Sequence, residues 1–166
     1  MSSIPKHPNA EYLKEIFIHQ LNRIYHGKCF LDKNIGHLIS LASFKALQLA
    51  MQEFGLDVKK QIERMKEVYD LIGEKPEDEK CNPIKSIVSD EFFIDESHSM
   101  PVLNDLDIML YLQLLEHINI TSYRMLIMIA NILKYNDIKQ LLTESFDESA
   151  DNDKLLMLIA KEYINR

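Results

Sequence analysis

The sequence predicts an all-α protein, a bundle of four long helices with one long crossover, and three observations predict it. Apolar residues recur at spacings of three and four over four long segments, the period of an amphipathic helix. Only 4 Gly and 5 Pro interrupt 166 residues, too few for a turn-rich β fold. One proline-bearing stretch, from Glu74 to Leu103, separates the second helical segment from the third. The length suits one domain with a sizeable core: residues 1–8 read as a flexible tail and 9–166 as the bundle.

Asn9 is placed as the N-cap of the first helix, with Glu11 near its positive end. Leu13, Phe17, Gln20, Ile24, Leu31, Ile35 and Leu38 form its apolar stripe, and a run to Leu41 would span roughly 45–50 Å. Gly27 and Gly36 mark places for a kink or for a close neighbour, and Gln20 is a polar residue on the stripe. Ser43 is expected to cap the second helix, whose stripe is Leu47, Met51, Phe54, Val58, Gln61, Met65, Val68 and Ile72. Gln61 is its polar interruption, and Asp57, one turn earlier, can face the same space. Gly73 and Pro76 end this helix. The crossover that follows holds an apolar patch from Ile84 to Ile94 that reads as a short helix.

The third segment, Asn104 to Lys134, is apolar on nearly every side, which buries it in a core or against a partner chain. Asn104 is expected to cap it, helped by Asp105 and Asp107. Glu116, Asn119 and Tyr123 share roughly one face in its middle, so these polar groups need partners. Asn136 and Asp137 open the fourth helix, whose inner positions change from apolar to Ser145, Glu148 and Asn152. Each helix thus carries polar residues at mid-length, and they are expected to converge in one layer.

The formal net charge of -7, with no basic stripe along any helix, excludes a backbone-binding nucleic-acid protein. The apolar runs are too short and too interrupted by Glu116 and Arg124 for a membrane span, and no signal peptide precedes Tyr12. Cys29 and Cys81 form neither a CxxC nor a metal spacing, so a reducing, cytoplasmic setting is expected. GxSxG, P-loop and GxGxxG patterns are absent, which removes the common nucleophilic and nucleotide-binding enzymes. Met51, Met65, Met109, Met125, Met128 and Met157 read as core filling. His19, His26 and His117 read as helix-face histidines, and Asp147, Glu148, Asp151 and Asp153 as a solvated face.

Four helices joined by short first and last connections and a long middle crossover have the connectivity of ferritin-like bundles. The segment IERMKEVYDLIGEKP from Ile62 to Pro76, followed by Lys80 and Cys81, resembles the ferritin-like stress-protein family of the YciE/YciF type. FIHQLNRIYH from Phe17, Leu115-Glu116-His117 with Tyr123, and LLTESFDE from Leu141 extend the resemblance over about Glu15 to Ile164. It implies a two-metal centre built from carboxylates and histidines of facing helices. Glu116 and Glu148 match family acids and Asp57 is the shorter counterpart of one, whereas Gln20, Gln61 and Asn119 stand where the family carries glutamate, histidine and glutamate. The expectation is a non-catalytic, stress-associated protein with a degenerate metal site, its remnant Glu116, Glu148 and Asp57, its amides Gln20, Gln61 and Asn119 hydrogen-bonding the remaining acids with Tyr123. No catalytic residue and no cofactor are expected. The alternative is a metal-binding protein or di-iron oxidoreductase holding iron or manganese on the altered ligand set. The surplus of apolar faces on the third helix predicts a homodimer.

Overall fold

A computed structural model of the chain describes residues 9–78, 82–89 and 101–165. The expected tail 1–8, Cys81 and the end of the crossover patch toward Ile94 lie outside the described residues. Among the described residues the fold comprises four long helices, α1 (Ala10–Leu41), α2 (Lys45–Ile72), α4 (Pro101–Ile132) and α5 (Asn136–Ile164), and one short helix, α3 (Pro83–Ser89). Helix α1 packs beside α2 and α4, and α5 completes the square between them.

The termini follow local chemistry. Asn9 caps α1 by accepting a hydrogen bond from the Tyr12 amide at 2.9 Å. Gly73 ends α2 in the left-handed conformation, φ 69°, where its amide and that of Glu74 close on the last turn. Gly27 and Gly36 produce no break in α1. Gly27 instead admits α3: a Cβ there would lie 2.7 Å from that of Ile84.

Two expected caps are replaced by a tertiary contact. Helix α4 begins at Pro101, so Asn104 lies inside its first turn, and the residue before α2 is Phe44, which makes no side-chain cap. Ser43 turns the other way, donating its amide and hydroxyl to the two oxygens of Asp105 at 2.7 and 2.5 Å, and Tyr163 donates to the same carboxylate at 2.7 Å. A buried carboxylate accepting three hydrogen bonds outweighs one exposed cap, because only the former removes an otherwise unsatisfied charge from the interior. The cluster puts the end of α1, the start of α2, the start of α4 and the end of α5 at one end of the bundle. Helices α2 and α4 therefore run in the same direction, and the crossover must return the length of α2, about 42 Å for its 28 residues.

The core is one cluster running the length of the bundle, including Phe17, Leu21, Leu31, Met51, Phe54, Met65, Leu112, Leu115 and Leu126. Each such side chain contributes roughly 1.5–3 kcal/mol on burial. Met51, Met65 and Met109 fill this core as expected, whereas Met125, Met128 and Met157 are exposed. Met125 and Met128, three apart on α4, belong to a second apolar stripe that faces away from the bundle.

Candidate functional site

The inner stripe of α1 is Phe17, Leu21, Ile24, Lys28, Leu31, Ile35 and Leu38, all buried. Gln20 lies beside this stripe, half-buried, and its side chain does not bond to Gln61, Glu116 or Tyr123. Lys28 therefore takes the inward position at mid-bundle, and it is fully buried. It was legible in the seven-residue gap between Ile24 and Leu31, which a spacing of four and three fills at position 28. Its charge argues against a place on an apolar stripe, since lysine is almost never fully buried unless paired.

At the level of Lys28, α2 presents Gln61 and Asp57, α4 presents Glu116, Asn119 and Tyr123, and α5 presents Ser145, Glu148, Ser149 and Asn152. The layer divides into two halves. Toward the α2–α5 side the groups are bonded: Arg64 grips Glu148 through two nitrogens at 2.7 Å each, and Gln61 donates to Glu148 at 3.1 Å. Tyr123 donates its hydroxyl to Gln61 Oε1 at 3.1 Å. Asp57 accepts from Lys60 at 2.9 Å and from Asn152 at 3.3 Å.

Toward the centre the groups are charged or polar and unpaired. Lys28 Nζ, both Glu116 oxygens, both Asn119 amide atoms and Ser149 Oγ are buried and make no hydrogen bond of ordinary geometry, although Ser149 and Asn119 stand close enough to Glu116 to influence its carboxyl. Lys28 Nζ stands 5.7 Å from the centre of the Tyr123 ring, within cation–π range. Burial lowers the affinity of the Lys28 amine for its proton, and Glu116, then Glu148 and Asp57, oppose that loss. Burial raises the Glu116 carboxyl above its usual range, opposed first by Lys28 and then by Ser149 and Asn119. Burial, then Glu116, holds the Tyr123 phenol well above its usual value, so it remains a donor.

These residues do not fit a pair of metal ions. No histidine is among the buried polar residues, and no three His, Cys, Asp or Glu side chains among the described residues come together to hold a metal. Of the three acids that the resemblance singled out, Glu148 is engaged by Arg64 and Asp57 by Lys60, leaving Glu116 with the Lys28 amine as the main influence opposing its burial. His117 points outward and pairs with Asp153 at 3.3 Å. Asp147 and Asp151 are exposed, as a solvated face requires.

The outer side of α4 is the second notable surface. Leu110, Leu114, His117, Thr121, Met125, Met128 and Ile132 are all exposed. Between Leu110 and Ile132 the only other charged residue on α4 that reaches solvent is Arg124, which folds over the Phe146 ring at 5.4 Å. Apolar grooves flank the stripe: one of about 440 Å³ beside Leu114, Ile118 and Ile87, and one of about 410 Å³ beside Ile127, Met128 and Phe146. No described helix is long and apolar enough to cross a membrane.

Comparison with known proteins agrees with the architecture. Residues 12–166 match the family model described as a domain of unknown function (DUF892). The protein YciF of Escherichia coli strain K12 is 25% identical over 159 residues, 95% of this chain and 96% of that protein. The crystal structure of the Escherichia coli stress protein YciF superposes with a TM-score of 0.86, covering 93% of this chain and 98% of that one. YcfI from Rhodopseudomonas palustris, 23% identical, shares the fold with a TM-score of 0.82, covering 93% of this chain and 97% of its own.

Proposed function

The chain belongs to the family described as a domain of unknown function (DUF892), and from that premise we propose that it is a non-catalytic, stress-associated bundle protein that works as a homodimer and keeps its mid-bundle layer free of metal. The observation that carries this reading is the donor set: a lysine, an amide and a serine surround the one unengaged carboxylate, Glu116. Iron and manganese sites in bundles require about four carboxylates and two histidines, and neutral amides and an ammonium supply neither charge nor imidazole. The test is metal analysis of protein purified aerobically, with a ferroxidase assay. Less than one tenth of an equivalent of iron or manganese, on the order of adventitious loading, and no oxidation of ferrous iron are expected. Two iron atoms per chain with turnover would replace this reading by a di-iron oxidase with altered ligands.

The dimer rests on the register of the outer α4 stripe. Its members are spaced four, three and four on each side of Thr121, so the stripe reads the same from either end. Two copies crossing antiparallel about a two-fold axis at Thr121 place Leu114 opposite the partner's Met128, and His117 opposite the partner's Met125. A closed two-fold interface demands this self-complementarity. The stripe is about 33 Å long, and the flanking grooves offer room for the partner's Met125 and Met128.

A further inference from the structure

Resting on the metal-free reading above, we propose that Lys28 is the resident cation of the layer: its ammonium supplies, from within the chain, the positive charge that a bundle of this kind otherwise takes from a metal, and thereby excludes divalent cations. The geometry carries the proposal. Lys28 reaches the bundle axis from α1, where it is fully buried, and meets no hydrogen-bond acceptor at contact distance. The charges that act on it are three carboxylates from the other three long helices, Glu116 of α4, then Glu148 of α5 and Asp57 of α2. Glu148 and Asp57 already have Arg64 and Lys60 as counter-ions. Glu116 has none but Lys28, and an ionised carboxylate buried without compensation costs several kcal/mol.

An ammonium at this point does two things to an arriving dication. It occupies the space between facing helices where a metal would be coordinated, and it repels like charge in a medium of low dielectric, where a few ångströms of separation make the repulsion large. The amides follow from the same logic. With a lysine present the layer needs only one free negative charge, so Gln61 and Asn119 are neutral, and further acids would leave a net buried charge.

Two experiments test this in the intact chain. The first is a double-mutant cycle in urea between Lys28→Met and Glu116→Gln. Each single variant should lose on the order of 10²- to 10³-fold in its folding equilibrium constant, because it strands the other group. The double variant should recover most of that loss; additive losses would overturn the proposal. The second adds ligands with and without the lysine. Gln61→His/Asn119→Glu, which keeps Lys28, should bind manganese(II) no better than the natural chain, whereas adding Lys28→Glu should tighten binding at least 100-fold in calorimetry and make the melting temperature depend on manganese. Equal affinity with and without Lys28 would overturn the proposal. Neither result depends on the function reading, which fails separately if the natural chain itself carries stoichiometric iron.

Discussion

At the scale of single residues, Glu148 shows how the layer holds a carboxylate on protein donors. Burial pushes this carboxyl up, but the Arg64 guanidinium, the Gln61 amide and Lys60 together hold it below its ordinary value of 4.5. A carboxyl whose folded value is depressed adds stability that is present above the unfolded value and lost as pH falls through the folded one. Glu148→Gln should therefore cost about 1–2 kcal/mol at pH 7, the value of a charged hydrogen-bonded pair discounted for its partial exposure. As pH falls from 7 toward 3 the gap between variant and natural chain should narrow, since the natural chain progressively loses the advantage that its charge confers. Urea titrations at the two pH values check this, and a gap that widens on acidification would show that Arg64 is not the stabilising partner. The chain continues inward through Gln61 to Tyr123, so Tyr123→Phe should cost on the order of 1 kcal/mol by leaving Gln61 Oε1 without its donor.

At the scale of elements, two contacts decide how helices that share a period fit together. Gly27 lets α3 lie on α1, with Asn82 accepting from the amides of Ile84 and Lys85 at 3.1 and 3.2 Å and donating to the Arg23 carbonyl at 2.8 Å. Gly27→Ala should gain about 1 kcal/mol in helix propensity. It should lose more than that, about 1–3 kcal/mol, because the new Cβ meets Ile84 Cβ and Cδ1 and drives α3 outward. Thermal unfolding decides the sign, and a stabilised variant would mean that α3 moves at little cost. The Asp105 cluster ties both helix pairs together at the opposite control point, joining α4 to the α1–α2 turn and to α5. Asp105→Ala should destabilise by about 2–4 kcal/mol, as removal of a buried charged acceptor does. Asn104→Ala, by contrast, should be nearly neutral because no cap is lost; guanidinium melts of the two variants compare them directly.

At the scale of the whole molecule, the outer stripe of α4 is the feature that a single bundle does not use. Met128 and Ile132 are 61% and 62% exposed, far more than core-forming residues at this spacing would be. Leu114→Glu should dissociate the proposed dimer, since the two-fold axis sets each copy's glutamate against an apolar Met128 and buries it unpaired. Multi-angle light scattering at micromolar concentration should give twice the mass of 19.4 kDa for the natural chain and the single mass for the variant. A natural chain that runs as a monomer at every concentration would remove the dimer while leaving the polar layer untouched.

The sequence by itself determined the helices, their order and the long crossover, because period, caps and breakers act within a few residues of each other: Asn9, Gly73 and the seven-residue repeats state their roles locally. It also named Gln61, Glu116, Asn119 and Tyr123 as one level of the bundle, since each interrupts an apolar stripe at mid-helix. Tertiary structure alone decided which polar residue α1 contributes. Gln20 and Lys28 are two turns apart, and the choice between them depends on the rotation of α1 about its axis, which packing against α2 and α4 sets. It likewise turned Asp105 from a helix-end charge into a buried acceptor, and Met125 and Met128 from expected core into outer surface. On α4 nearly every face is apolar, so periodicity cannot say which faces the core; only the arrival of the other three helices, and the area each can cover, does.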